Sequence, residues 1–239
     1  MHPYEHARSS ARIHGGVWQD YFALHAWFDA SKAIQCRFTH RALRHHIEGV
    51  GEAVSIFGPS VVNSDGEKVA TEQLGMQHLE EDCTYPPEAT VWLIDFDTPD
   101  WLPTSEPNSV ELANTSAARF GGDPSAYLAL HAWFLETRNW SDGPEHLVFR
   151  HHAFGIFEAE ARFSPVIALD AGKAVPTRVV AERHVQQVLG RVPPANELLR
   201  RIKGERWMLQ ATSPRKLGLD APITATVRAT VREKFDATV

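Results

Sequence analysis

The chain carries only two cysteines, Cys36 and Cys83, in 239 residues. Two thiols with no Cys-x-x-Cys pair exclude a disulfide-stapled scaffold and a zinc ribbon, and they suit a reducing compartment. Long apolar runs are absent as well. Nothing approaches the about 18 to 20 residues of a membrane span, and the first ten residues hold His, Arg and Glu where a signal peptide would be apolar. The expectation is a cytoplasmic protein with no membrane association. Positive charge is scarce: 24 Lys and Arg stand against 30 Asp and Glu, a formal net charge of −6. That balance argues against nucleic acid as a partner, because sequence-independent affinity for phosphates comes from clustered cations. A phosphate-binding Gly-rich loop, a His-Glu-x-x-His helix and a Gly-x-Ser-x-Gly elbow are also missing, so the common signatures of nucleotide, zinc-protease and serine-hydrolase chemistry are not present.

What the chain does have is thirteen histidines and an internal duplication. Residues 7–87 align without a gap on residues 113–193, at a constant offset of 106. Ala-Leu-His-Ala-Trp-Phe at 23–28 recurs at 129–134, Arg-His-His at 44–46 recurs at 150–152, and Gly15-Gly16 recurs as Gly121-Gly122. Five histidine pairs fall in register: His25 with His131, His40 with His146, His45 with His151, His46 with His152, and His78 with His184. Neither cysteine belongs to this shared framework, since Asp142 and Leu189 stand in their places.

The copies differ in their carboxylates. His25/Asp29, His45/Glu48 and His78/Glu81 are spaced three or four apart, the separation that puts two side chains on one face of a helix. In the second copy the three acids become Leu135, Phe154 and Gln187.

Each copy reads as helices with one hairpin. A short helix at 3–13 ends at Gly15-Gly16, a second runs over 18–34, a third over 38–57, and a fourth over 71–82. Between the last two, β-branched runs around Ser64-Asp65-Gly66 read as a hairpin, with a counterpart around Ala171-Gly172. The predicted architecture is mainly α with a small β-hairpin per repeat, an α+β protein of two tandem homologous helical domains that form an intramolecular pseudo-dimer. The first repeat spans 1–97, a Pro-rich linker 98–108, the second repeat 109–203 and a C-terminal extension 204–239, in which 224–231 alternates as a short strand would.

On a single helix over 38–57, Leu43, Ile47, Val50, Val54 and Phe57 form the core stripe, and Arg41, His45, Glu48 and Glu52 the opposite face. His40 and His46 flank the stripe, as rings bonded to backbone or to a neighbouring helix. The distal face gains Leu147 and Phe154 in the second copy, which an exposed face has no reason to do. A covered, polar face in the first copy is therefore expected, with the same space filled by apolar groups in the second. A covered set of imidazoles and carboxylates is either a paired hydrogen-bond network or a metal site. The binding reading assigns His25, Asp29, His45, Glu48, His78 and Glu81 to a small polar ligand or to a divalent ion of the Zn, Fe or Mn type, which imidazole and carboxylate ligands suit. A bound water activated by such an ion would make the protein a metal-dependent hydrolase. The competing reading is a non-catalytic subunit or regulator of a larger assembly, partnered by another protein chain or by a second copy of itself. Arg44 and Arg150 read as members of salt bridges inside their own domains, and Trp27 and Trp133 as core aromatics.

The first copy also resembles a family of small bacterial and phage proteins known only as a domain of unknown function. The likeness is carried by His2-Pro3, Ala7 to Arg12, Gly15-Gly16, Trp27-Phe28-Asp29 with Ser31-Lys32, His40 to His46 with Glu48-Gly49, Asn63-Ser64-Asp65-Gly66, and Gln77-His78 with Glu81-Asp82. The second copy departs from it at Leu135, Phe154, Leu169, Ala171 and Gln187. The resemblance implies a shared fold and a site confined to the first copy; it implies no reaction.

Overall fold

The structure, a computed structural model, describes residues 1–105 and 107–219. The possible strand at 224–231 lies outside them. In the first copy α1 (Pro3–His14) and α2 (Trp18–Asp29) pack side by side, followed by α3 (Ile47–Phe57), the hairpin β1 (Ser60–Val62) and β2 (Lys68–Ala70), and α4 (Thr71–Asp82). The second copy repeats the order as α5 (Ser109–Phe120), α6 (Ser125–Glu136), α7 (Ala153–Phe163), β3 (Val166–Ala168), β4 (Ala174–Pro176) and α8 (Thr177–Leu189). Two short helices, α9 (Ala195–Leu199) and α10 (Arg206–Leu209), end the described chain. Both hairpins are antiparallel, with Val61 opposite Val69 and Ile167 opposite Val175. The fold is thus α+β, built twice.

The helix expected over 38–57 is two pieces. Phe38–Leu43 is a 3-10 helix, and α3 starts only after His46, which sits at its N-cap in an extended conformation. The ring Nδ1 of His46 accepts the Gly49 N–H at 3.0 Å, and His152 does the same for Gly155 at 2.9 Å. This capping satisfies one of the donors that a helix start leaves open. A side chain at Gly49 would meet the carbonyl oxygen of Arg44 at 2.1 Å, so the tight turn requires glycine there. The break rotates the two halves against each other. Ile47, assigned to the core stripe on an unbroken helix, is 44% exposed, while Arg41 and His45 are buried. The second helix likewise stops at Asp29 and continues to Ala33 as a 3-10 turn.

The copies meet through reciprocal contacts. Arg44 donates to Glu158, with its Nη2 at 2.6 Å, and Arg150 pairs with Glu52; each residue is the repeat equivalent of the other pair's member. Both arginines also donate to a tryptophan carbonyl, Trp27 and Trp133 respectively, and stack at 4.3 Å from the same indole rings. These salt bridges run between the copies, not within them, which corrects the intradomain expectation. The reason is geometric: the turn after Leu43 points the guanidinium outward toward the sister copy. An arrangement in which i meets j and j meets i is the isologous contact of a two-fold dimer, here made inside one chain. The segments that follow each copy also cross over. Thr98 donates to Glu145 of the second copy at 2.7 Å, and Gly204 lies against Phe38 of the first.

The apolar core is not shared evenly. One cluster spans most of the second copy and the contact between copies, from Leu43 and Trp92 through Phe134 and Leu147 to Met208. A second, smaller cluster with Tyr21, Leu24, Phe28, Val50 and Leu74 belongs to the first copy alone. A buried polar layer accompanies this division, as described below.

Breaking one reciprocal pair leaves a half-buried carboxylate without its partner. Arg150→Met is expected to lower the unfolding free energy by about 3 kcal/mol, and Arg44→Met to do the same, by urea denaturation. Losses of about 0.5 kcal/mol or less, the scale of a surface ion pair, would show that the two copies do not meet through these residues.

Candidate metal centre

Three imidazoles form a buried chain in each copy. His25 comes from α2, His45 from the turn before α3, and His78 from the middle of α4, and all three are fully buried. His25 Nδ1 lies 3.0 Å from His78 Nδ1, and His78 Nε2 lies 3.1 Å from His45 Nε2. Ser10, from α1, starts the chain: its hydroxyl is 2.8 Å from His25 Nε2 and donates to Gln77 Oε1 at 3.0 Å.

That last bond sets the tautomers. A serine has one proton to give, so with it committed to Gln77 the hydroxyl must accept from His25 Nε2. A neutral His25 then accepts at Nδ1 from His78, which in turn accepts at Nε2 from His45. Nδ1 of His45, at the end of the chain, has no hydrogen-bond partner among the described residues. Burial holds His25 and His78 well below the ordinary imidazole pKa, with the neighbouring rings adding to the effect, which keeps this neutral chain in place.

The second copy keeps the same chain. Ser116, His131, His184 and His151 are linked at 2.8, 2.8 and 3.1 Å. The imidazoles are therefore common framework. What distinguishes the first copy is the charge around them: Asp29 at the end of α2, Arg41 in the 3-10 turn, Asp82 at the end of α4, and His6 on α1. Their equivalents are Leu135, Leu147, Val188 and Leu112, each buried in the apolar cores. A polar layer thus fills in the first copy the space that is apolar in the second.

His6 sits between two carboxylates, 2.6 Å from Glu81 Oε2 at Nδ1 and 3.4 Å from Asp82 Oδ1 at Nε2. Burial opposes its charge, but Asp82 and Glu81 outweigh burial and raise its pKa. Asp82 is enclosed by the amino group of Met1, by His6, by His45 at 3.4 Å and by Arg41 at 3.1 Å. Burial alone would raise its pKa, and the bonds to His45 and His6 drive it far below the carboxylate range instead. Asp29 meets Lys32 at 2.7 Å and His45 at 3.6 Å. Against the cost of burial, His45 and then Lys32 pull it down to about 2.

His6, Asp29, His78 and Asp82 each present one ligand atom within 4.8 Å of the others, as do His6, His25 and His78. Of the residues singled out from spacing, His25, Asp29, His45 and His78 converge here. Glu81 lies at the rim, holding His6 and accepting from Gln77 at 2.8 Å. Glu48 lies apart. Its Oε2 accepts the Ala89 N–H at 2.8 Å at the start of the 3-10 turn Ala89–Leu93. His6, Arg41 and Asp82 join the centre without having been singled out as its members. Asp82 stands four residues after His78, the spacing already used for His25 and Asp29, and it faces Val188 in the repeat. His6 faces Leu112, one position before the comparison of the copies begins.

Fold and site together define a class: a tandem duplication in which both halves keep a buried imidazole chain and one half surrounds it with charge. The chain belongs to the family described as Domain of unknown function (DUF6915), which matches residues 1–102 and again residues 107–208. No curated protein and no solved structure matches the chain. Among the described residues, no helix is long and apolar enough to cross a membrane.

The charge layer gives a clear mutational expectation. Asp82→Val alone strands Arg41 and His6 and should cost about 3 to 5 kcal/mol. Writing the whole second-copy set into the first (His6→Leu, Asp29→Leu, Arg41→Leu, Glu81→Gln, Asp82→Val) should restore stability to within about 1 kcal/mol of the wild type or better, because well-packed apolar replacements of a buried ion network are often neutral or stabilising. A combined variant less stable than Asp82→Val by urea denaturation would refute the equivalence of the two layers.

The second copy predicts an acid response. Burial lowers His131 and His152 to about 4 and holds His151 and His184 well below 6.5. Such a ring is neutral when folded and protonates near 6.5 when unfolded. Its stabilisation is therefore complete above about 6.5 and is lost as pH falls through 6.5 toward the folded value. The urea midpoint should drop steeply between pH 6.5 and 5, before most carboxylates titrate. A midpoint flat across that window would mean that these rings are not held neutral.

Proposed function

We propose that the first copy binds one divalent cation of the Zn, Fe or Mn type through His6, Asp29, His78 and Asp82, and that the second copy is its non-binding twin. The observation that carries this reading is the convergence of buried ligand atoms from four side chains, one of whose carboxylate oxygens has no donor facing it. His6, Asp29, His78 and Asp82 present ligand atoms within 4.8 Å of one another; Oδ2 of Asp29 has no hydrogen-bond partner among the described residues, while Asp29 Oδ1 and Asp82 Oδ2 meet Lys32 and Arg41 as ion pairs at 2.7 and 3.1 Å. Unsatisfied buried carboxylate oxygens are costly, and two imidazoles with two carboxylates form the mixed N/O set that such cations take. With its Nδ1–H committed to His25, His78 would offer its Nε2 lone pair to an ion in place of the His45 N–H that it accepts there. Binding would displace the proton that His6 holds between its carboxylates.

Burial decides what an ion would do there. The four ligand residues are at most 4% exposed, which leaves no solvent-facing position for a substrate or an activated water. Closed ligand sets belong to structural ions, whereas catalytic ions keep an open position. The proposal is accordingly a metal-stabilised binding module, and hydrolysis would require the site to open.

One observation favours a second reading, a metal-free network in a non-catalytic subunit. Asp29, Asp82 and Glu81 already face Lys32, Arg41, the Met1 amino group and His6. Metal analysis of protein purified without chelators separates the two. One ion per chain is expected, with zinc affinity reduced at least about tenfold in Asp82→Asn and unchanged in His184→Gln, circular dichroism confirming that both variants fold. Less than a tenth of an equivalent in the wild type, with no uptake from added zinc, would establish the network reading.

A further inference from the structure

The buried centre of the first copy is covered by chain that belongs to the second. Residues 205–219 leave the core of the second copy after Ile202 and return across the end of α4. Thr212 N–H donates to the carbonyl of Glu81 at 2.7 Å, and Thr84 donates to Gln210 at 3.0 Å. Arg41 is the joint. One of its nitrogens donates both to the Asp82 carbonyl at 2.8 Å and to the Met208 carbonyl at 3.0 Å, while the other holds the Asp82 carboxylate at 3.1 Å. Met208 is fully buried, and the Trp207 ring lies 4.9 Å from Trp92 and 5.3 Å from Tyr85. Farther on, Arg12 of α1 donates to the Leu217 carbonyl.

We infer that this strap is the lid of the first copy's centre, and that an ion enters and leaves by its lifting. Three features support the inference. The strap is tied to the residues of the centre themselves, through Asp82, Glu81 and their bridge Arg41. Its apolar anchoring is confined to buried Met208 and Leu219 and half-buried Trp207, whereas Leu209 is 61% exposed and Gln210, Ala211, Ser213 and Lys216 are exposed around it. Segments with few buried apolar contacts and solvent-accessible backbone bonds open at low local cost. The repeat also supplies an internal contrast. The equivalent segment after the first copy, with Trp101 and buried Leu102, stacks Trp101 5.0 Å from Arg191 of the second copy. There Leu147 and Val188 replace Arg41 and Asp82, so no polar joint ties that strap to a centre.

The ion-exchange part rests on the metal reading above; the opening of the strap does not, and the two are measured separately. Cys83, fully buried next to Asp82, reports opening in a Cys36→Ser background that removes the exposed thiol. Zinc-loaded protein carrying Met208→Ala is compared with Leu102→Ala, the matching truncation on the opposite strap, and urea midpoints monitor global stability. Both the rate of Cys83 modification by a disulfide reagent and the rate of zinc transfer to a chromogenic chelator should rise at least about tenfold in Met208→Ala and stay within about twofold of wild type in Leu102→Ala. Cys83 labelling of Met208→Ala at the wild-type rate overturns the lid whatever zinc does. Faster labelling with unchanged release of stoichiometric zinc overturns the strap as the ion's exit. Absence of bound zinc overturns the metal reading instead, and labelling alone then decides whether the strap lifts.

Discussion

The Asp82 carboxylate is buried without exposure and stays ionised, and the first copy is organised around that constraint. A carboxylate out of water must be enclosed by cations and donors from separate elements. Here they come from the chain start, from α1 through His6, from the 3-10 turn through Arg41 and from the turn before α3 through His45. Each of those elements is consequently fixed relative to α4. The strap from the second copy is fixed by the same group, because Arg41 carries the connection on to Met208. In the sister copy the equivalent of Asp82 is Val188, and those of His6 and Arg41 are Leu112 and Leu147, while His45 keeps an imidazole counterpart in His151. Ordinary packing takes over there.

Duplication lets one chain hold both solutions. The common framework, Ser-His-His-His in a line, is neutral and needs no charge beside it, as the second copy demonstrates. The charged additions of the first copy are therefore a layer placed on a fold that stands without them. Apolar replacements join the core of the second copy to the contact between copies, while the charge layer accompanies a separate, smaller core in the first. A buried polar network contributes little net stability compared with close-packed side chains, so stability does not account for its presence in one copy alone. The reciprocal Arg–Glu pairs hold the copies in an arrangement where the strap of one reaches the centre of the other.

Much of this was legible before any coordinates. The repeat, the hairpins, the glycine stops and the asymmetry of charge follow from aligning the chain with itself, because equivalent positions in a repeat experience equivalent surroundings. His25, Asp29 and His78 are found by helical spacing, since they sit on α2 and α4, whose helical geometry is regular. Glu48 marks where that reasoning stops. Its pairing with His45 assumes a continuous helix, and the chain breaks at His46, whose ring caps the helix that follows. Periodicity carries no sign of such a cap. His6 and Arg41 come from elements distant in sequence, and their charges gain meaning only beside Asp82.

The amino-acid sequence by itself determined that two like domains exist, which elements each contains, and that only one keeps carboxylates near its histidines. These are local or internal properties, set by periodicity, turn chemistry and comparison of one half with the other. Only the tertiary structure decided which charges meet, that Arg44 and Arg150 reach across to the opposite copy, and that the second copy's tail covers the first copy's centre. Contacts of that kind depend on how far each turn rotates the chain and on where the cost of burying a charge can be met, and neither quantity is carried by residue spacing.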